Sequence, residues 1–349
     1  MTVSEAMSEL GRLDAAASLI PNPQLIARIT TRREAVGTSA LEGTYADLTE
    51  LFAAEVLPES EQRAQVPANV REVMNYTRAA DAAYAWVSER PMTLGLLCSL
   101  QAEIVRGTSS DGPDAGSIRE TQVFIGAKNR RVAEARFVPP PPGDQLRAAC
   151  ERWVEWLTAA APRAEIQLIA RVAMAHYQFE ALHPFTDGNG RLGRLVTVLQ
   201  ILREGALRAP VLAVSPWLED HAEAYRDHLL AVSCTGDWAP WIDFFASAIR
   251  DESRAGHDRI MRLLALRDEI ADVVRSALPR ARLAVEIADD LIAYPMLSVA
   301  DAQRRYGRSN QANRDAINSL VELGVLEPYG TARYDRLYWS RRVLQVIDL

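Results

Sequence analysis

Twelve consecutive residues, His183-Pro184-Phe185-Thr186-Asp187-Gly188-Asn189-Gly190-Arg191-Leu192-Gly193-Arg194, gather an imidazole, a carboxylate, a glycine-rich turn and two guanidiniums. A buried core does not ask for such a mixture. Gly188-Asn189-Gly190 can take backbone angles closed to other residues, and at the start of a helix its N–H groups and the macrodipole favour an anion. This makes the turn a candidate phosphate cradle. Arg191 and Arg194, three apart on the same helix, can clamp phosphate oxygens with forked donors. Asp187 beside the cradle can hold a divalent cation, with magnesium bridging two phosphates as the natural choice. His183, with an ordinary imidazole pKa of about 6.5, can take a proton from an attacking hydroxyl. Together these parts describe transfer of a group from a nucleotide to a hydroxyl. The competing reading is a helix-turn-helix whose glycines only make the turn and whose arginines face water. It leaves the combination of His, Asp, Asn and Arg unexplained.

The flanks say how such a loop is held. Ile166, Ile169, Val172, Ala173, His176 and Phe179 recur at helical spacing before it, and Leu192, Leu195, Val196 and Leu199 recur after it. The arrangement is a helix, a tight loop and a second helix. Pro184 ends the first helix, because the residue before a proline is pushed out of the helical region, and His183 is expected at its exposed C-terminal end. His176, on the apolar face, reads as a hydrogen-bonded core histidine.

HPFTDGNGRLGR resembles the HPFx(D/E)GNGRxxR signature of Fic-domain proteins at every specified position. The resemblance implies a mostly helical Fic fold and transfer of AMP from ATP to a Ser, Thr or Tyr hydroxyl of a protein. Upstream, Leu25, Ile26 and Ile29 open a helical pattern ending near Gly37, and Thr38-Ser39-Ala40-Leu41-Glu42-Gly43 follows. On its residues alone this is an ordinary helix end with a solvated Glu42. It is also similar to the (S/T)xxxE(G/N) inhibitory element of many Fic proteins, with Thr38, Glu42 and Gly43 in the defining places. That similarity implies that Glu42 pairs with Arg194 and obstructs the productive pose of ATP. Ser117 to Gly126 alternates in part, and with Ala127 to Arg131 as a polar turn it suggests a short hairpin. Its place before Phe137-Val138-Pro139-Pro140 is similar to that of the Fic flap, whose exposed edge holds the target segment. Fic proteins often carry paired tyrosines against the nucleotide base; here Ala224-Tyr225 supplies half of that pair.

Composition bounds the rest. A chain of 349 residues that is 48% hydrophobic can bury a sizeable core in two or three domains, and a net charge of −7 argues against a chain-wide nucleic-acid or membrane surface. Cys98, Cys150 and Cys234 stand far apart with no metal-ligand spacing and read as reduced thiols. No stretch approaches the roughly 18 apolar residues of a membrane span, so no membrane partner and a cytoplasmic location are expected. Residues 107–116 are turn chemistry and read as a surface loop.

The expected fold class is mainly α: a Fic-fold helical core with a short β-hairpin flap and a small C-terminal winged-helix domain. Residues 1–60 form an N-terminal region with the inhibitory helix, 61–278 the catalytic core and 279–349 the winged-helix-like domain. In the last, Leu283, Ile287 and Leu291 make one helix and Ser298 caps a second. Ser309 or Asn310 opens a third that stops at Gly324, and Val325–Pro328 and Arg336–Trp339 read as two short strands.

Three functions follow. The first is a self-inhibited AMP transferase that uses ATP and magnesium and acts on a hydroxyl side chain of a target protein or of itself. The second is the same core removing AMP with Glu42 as a base. The third is a DNA-binding regulator with the Fic core as sensor. Arg304, Arg305, Arg308 and Arg314 could meet DNA phosphates, but Asp301, Asp315, Glu322 and Glu327 lie among them. Protein docking or homo-oligomer contact is therefore favoured for this domain.

Overall fold

The computed structural model describes residues 2–20, 22–87, 89–126, 132–159, 165–331 and 336–348. In chain order the first helices are α1 (Thr2–Ala17), α2 (Gln24–Leu41), α3 (Leu48–Val56), α4 (Glu59–Gln65), α5 (Ala68–Trp86), α6 (Leu94–Val105) and α7 (Asp144–Thr158). The central pair follows, α8 (Leu168–Leu182) and α9 (Asn189–Arg203), and then α10 (Ser215–Asp220), α11 (Ala222–Thr235) and α12 (Ala239–Ala277). The C-terminal part holds α13 (Arg282–Asp290), β1 (Met296–Ser298), α14 (Val299–Tyr306), α15 (Asn310–Glu322), β2 (Glu327–Tyr329), β3 (Leu337–Trp339) and α16 (Arg341–Asp348).

Almost every residue of α9 from Asn189 to Ile201 is buried, polar and apolar alike. A helix enclosed on all sides is a core element, and a ligand can reach it only at an end. One hydrophobic cluster packs α9 against α5, α6 and α7 through residues such as Tyr76, Leu100, Trp153, Phe179 and Leu195. A second cluster runs from α1 and α8 along α12 into the C-terminal part. Two indoles fasten α8 from either side: Trp153 Nε1 donates to the Ala175 carbonyl at 3.0 Å and Trp241 Nε1 to the Ala173 carbonyl at 2.8 Å.

The second helix runs through Gly37 to Leu41, beyond the end expected near Gly37. Gly37 is there for close approach: a Cβ on it would stand 2.8 Å from the Pro216 nitrogen of α10. The stop comes at Gly43, whose φ of 86° suits glycine. Glu34, 1% exposed, fixes α2 against α10 by accepting bonds from the Ser215 hydroxyl and, at 2.9 Å, the Ser215 N–H. A carboxylate at a helix N-terminus is favoured by the dipole.

Ser117 to Gly126 forms no strand. One antiparallel bridge joins Ile125 to Phe137, and the expected turn Ala127–Arg131 lies outside the described residues. The prolines 139–142 lack N–H donors, so a ladder cannot extend along them. In the C-terminal part Ser298 and Ser309 cap α14 and α15 through bonds to the N–H groups of Asp301 and Ala312, as expected. The antiparallel pair β2–β3 gains a third strand, β1, giving the order β1-β3-β2. The following α16 was not expected. This part packs on α2, α3 and α12: Arg33 donates to the Ile347 carbonyl at 2.8 Å, Arg28 to Ala293 at 3.1 Å and Arg304 to Val56 at 2.7 Å.

Candidate active site

The histidine loop is built on a main chain held in an unusual conformation. His183 caps α8 at φ 47° and ψ 61°, and it is the only non-glycine residue with positive φ among the described residues. Such a conformation costs an ordinary side chain about 1–2 kcal/mol. Arg119, which is 1% exposed, holds it there. Its Nε donates to the His183 carbonyl at 2.8 Å, Nη1 to Thr121 at 3.1 Å and Nη2 to Pro140, while its N–H donates to Pro184 at 2.9 Å. All four acceptors are main-chain oxygens, and the three that the guanidinium meets tie the His183 main chain to Thr121 and Pro140, on either side of the Ile125–Phe137 bridge. Nothing in the local pattern marks Arg119, and sequence reasoning passed over it. Arg119→Ala leaves three carbonyls without a donor at about 1–3 kcal/mol each. The melting temperature is expected to fall by about 4–12 °C in a thermal scan.

The rest of the loop is stapled from inside. Asn189 accepts from the Phe185 N–H at 2.9 Å and donates to the Phe185 carbonyl at 2.8 Å. Its side chain therefore shapes the turn, and only its backbone is left for a phosphate. Gly188 stands at the helix N-cap with φ 78°. The N–H groups of Asn189, Gly190 and Arg191 begin the helix and have no intrahelical acceptors. Asp187 is 47% exposed at its side chain and accepts from the Gly188 N–H at 2.6 Å and from the Ser110 hydroxyl. Gln101 donates to the Asp187 carbonyl at 2.9 Å and Thr186 to Asp114 at 2.5 Å. The segment expected to be a plain surface loop is thus a brace for the motif, which turn composition alone could not reveal.

Both motif arginines are buried and already engaged. Arg194, 2% exposed, donates from Nη2 to Glu42 at 2.6 Å and to the Thr38 carbonyl at 3.1 Å, and from Nε to the Thr38 hydroxyl at 2.6 Å. Burial opposes its charge, and Glu42, Tyr225 and Glu180 together more than offset this, so the pKa of the guanidinium is raised. A Cβ on Gly190 would fall 2.1 Å from Glu42 Oε1, so the glycine makes room for that carboxylate. Arg191 lies 3.5 Å from Glu72 and 3.8 Å from Asp187. Glu72, which also accepts from Thr44 at 3.0 Å, was not singled out in the sequence.

Glu42, His183, Gly190 and Arg194 open on one cleft of about 840 Å³, its mouth included, which Tyr225, Ile125 and Phe137 also line; Asp187 and Arg191 are not among its lining residues. His183 is half-buried in its wall and not exposed as expected, and burial pulls its pKa down to about 4 against the influence of Glu42. The imidazole is therefore neutral at pH 7, ready to accept a proton. His176 is a core histidine as expected, with Nε2 2.8 Å from the Tyr225 hydroxyl, and burial lowers its pKa to about 3. The folded state resists protonation of His176 while the unfolded state takes it up near pH 6.5. The stabilising contribution is thus present above about 6.5 and is lost as pH falls towards 3. The melting temperature should drop between pH 7 and pH 5, and drop less in His176→Gln.

No group of three or more His, Cys, Asp or Glu side chains gathers to hold a metal among the described residues. A single carboxylate fits magnesium, which binds through one or two carboxylates together with substrate phosphates and water. Asp187 would be that ligand. No described helix is long and apolar enough to cross a membrane.

Fold and site together define a mainly helical protein with a histidine-bearing loop at the N-terminus of a buried helix. The Fic/DOC family N-terminal model matches residues 1–85 and the Fic/DOC family model residues 91–201. The chain belongs to the Fic/DOC family. It is 36% identical over 138 residues to protein adenylyltransferase fic-1 of Caenorhabditis briggsae and of Caenorhabditis elegans, matching 40% of this chain and 24% of theirs. It is 34% identical over 136 residues to protein adenylyltransferase Fic of Culex quinquefasciatus, matching 39% of this chain and 24% of that one. The match thus spans about a quarter of the length of these curated relatives. A crystal structure of a Fic family protein from Desulfovibrio desulfuricans superposes with a TM-score of 0.58 at 21% identity, covering 97% of this chain and 95% of the other. A Fic-domain signalling protein from Bacteroides thetaiotaomicron gives 0.56 at 16% identity over 75% of this chain and 97% of its own.

Proposed function

We propose that this protein transfers AMP from ATP to a hydroxyl side chain of a protein, and that Glu42 restrains the reaction. The observation that carries the reading is the pairing of Glu42 with Arg194 at 2.6 Å, beside the glycine turn and His183 in one cleft. The N-terminus of α9 offers donors for the phosphates, and Arg194 lies where an outer phosphate would need a cation. Neutral His183 takes the proton of the attacking hydroxyl, the oxygen attacks the α-phosphorus, and pyrophosphate leaves. Magnesium, when bound, would neutralise phosphate charge beside Asp187. The relatives named as protein adenylyltransferases support the same class of reaction.

The division into 1–60, 61–278 and 279–349 assigns restraint to the first part and chemistry to the second. For the third part we favour docking to protein over DNA. Arg304 donates to Val56 and pairs with Asp301, and Arg305 pairs with Asp301 and lies over the Tyr294 ring, so both guanidiniums are already engaged within the protein.

Incubation with ATP labelled on the α-phosphate, with magnesium and with or without chelator, tests the reading. Label is expected on protein with magnesium and is expected to vanish with chelator or in Asp187→Ala. No label on any protein, with Glu42 intact or replaced, would overturn it.

A further inference from the structure

Glu180 is a carboxyl group that the proposed chemistry leaves without a task. It lies on α8 one turn before His183 and lines the cleft. Its Oε1 is enclosed and has no hydrogen-bond partner. A Cβ on Gly193 would stand 2.7 Å from that oxygen, so the second glycine of the Gly-Arg-Leu-Gly-Arg run leaves space for this carboxyl. Burial pushes its pKa up to about 7, with Arg194 acting to lower it. Oε1 itself is closed to a ligand, but the side chain as a whole stays partly exposed on the cleft, which leaves the rest of the carboxyl within a ligand's reach.

Position along the helix says which part of a ligand it meets. At about 1.5 Å per residue, Glu180 lies about 4.5 Å and Tyr177 about 9 Å along the axis from His183. The phosphate end of the cleft is marked by His183 and by Gly190 at the start of α9. The far end holds Leu229, Leu230 and the hydroxyl pair of Tyr177 and Ser233, 2.9 Å apart. A nucleotide with its α-phosphate at the first end and its base at the second brings its sugar to the level of Glu180. Carboxylates are suited to this, since a ribose hydroxyl donates readily to them.

We propose that Glu180 accepts a hydrogen bond from a ribose hydroxyl and makes the cleft selective for ribonucleotides over deoxyribonucleotides. The assignment rests on the nucleotide-transfer reading above and adds the group that reads the sugar. It names Glu180 as a specificity residue with no part in the proton transfer.

Equilibrium binding to the full chain tests it, using AMP, 2′-deoxy-AMP, 3′-deoxy-AMP and GMP; monophosphates avoid the outer-phosphate conflict with Glu42. The wild type should bind AMP at least about tenfold more tightly than one of the two deoxy compounds. Glu180→Ala should weaken AMP and bring all three adenine nucleotides within about twofold. Glu180→Gln, which keeps the shape, should fall between, and melting curves of both variants report the fold. Equal binding of AMP and both deoxy compounds by the wild type overturns the assignment, as does discrimination that survives in Glu180→Ala. Loss of preference for AMP over GMP with sugar preference unchanged also overturns it, by moving Glu180 to the base. In all three cases label transfer from ATP persists. Failure of AMP to bind, with no label transfer even in Glu42→Gly, rejects the nucleotide reading itself and this assignment with it.

Discussion

His183→Ala is expected to lower AMP transfer by about 100- to 10,000-fold, the usual contribution of a positioned general base. The hydroxyl of a Ser, Thr or Tyr is a weak nucleophile while it keeps its proton, and a neutral imidazole in the cleft wall is placed to remove it. Burial lowers the His183 pKa to about 4, so the neutral form persists well below the ordinary range. Activity limited by this group should therefore hold from pH 7 down to about pH 5 and fall as pH approaches 4. Nucleotide affinity should change little, because the donors proposed for the phosphates belong to α9. The backbone at φ 47° is a confounding factor, since alanine tolerates it poorly. His183→Asn provides the control, as asparagine visits that region more readily and still removes the base. Single-turnover labelling with wild-type speed in both variants would remove His183 from the mechanism.

Glu42→Gly is expected to raise labelling by about 5- to 150-fold, the range of a coupling of about 1–3 kcal/mol. Arg194 cannot serve an outer phosphate while its Nη2 is held by Glu42 at 2.6 Å, and the carboxylate also repels the phosphate. Removal frees the cation without releasing its frame: the Thr38 hydroxyl and carbonyl still hold Arg194 at 2.6 and 3.1 Å. Glycine fits the position, since Glu42 lies at the end of α2 with φ −92° and its side chain is 39% exposed. If Glu42 also serves as a base for removing AMP, that activity should fall in the same variant while transfer rises. Unchanged labelling in a folded Glu42→Gly protein would return Thr38 to Gly43 to an ordinary helix end. Arg194→Ala separates the two roles of the contact, because it relieves the restraint and removes the phosphate partner together. It should therefore stay inactive with Glu42 present or absent.

Much of this site is legible in the chain because its parts are local. His183 to Arg194 are contiguous, Pro184 and Gly188 set a helix stop and start within six residues, and the apolar repeats on either side require a packed helix pair. Helix caps at Ser298 and Ser309 were readable for the same reason, since each bonds three residues ahead. The pairing of Glu42 with Arg194 crosses 152 positions, and the resemblance to a known element supplied it where spacing could not.

What tertiary structure alone decided are contacts between distant residues of ordinary type. Arg119 gains its role from the His183 carbonyl 64 residues away, Glu34 from a serine 181 residues away, and Glu72 from an arginine 119 residues away. In sequence each is one more charged residue, because charge pattern reports solvation and not which buried partner the fold will deliver. Gly37 shows the same limit in the backbone. Its type allows a helix stop, yet the close approach of Ser215 and Pro216 requires a glycine in mid-helix. A local pattern determines conformation where neighbouring residues supply the hydrogen bonds; where burial and long-range packing supply them, only the folded chain decides.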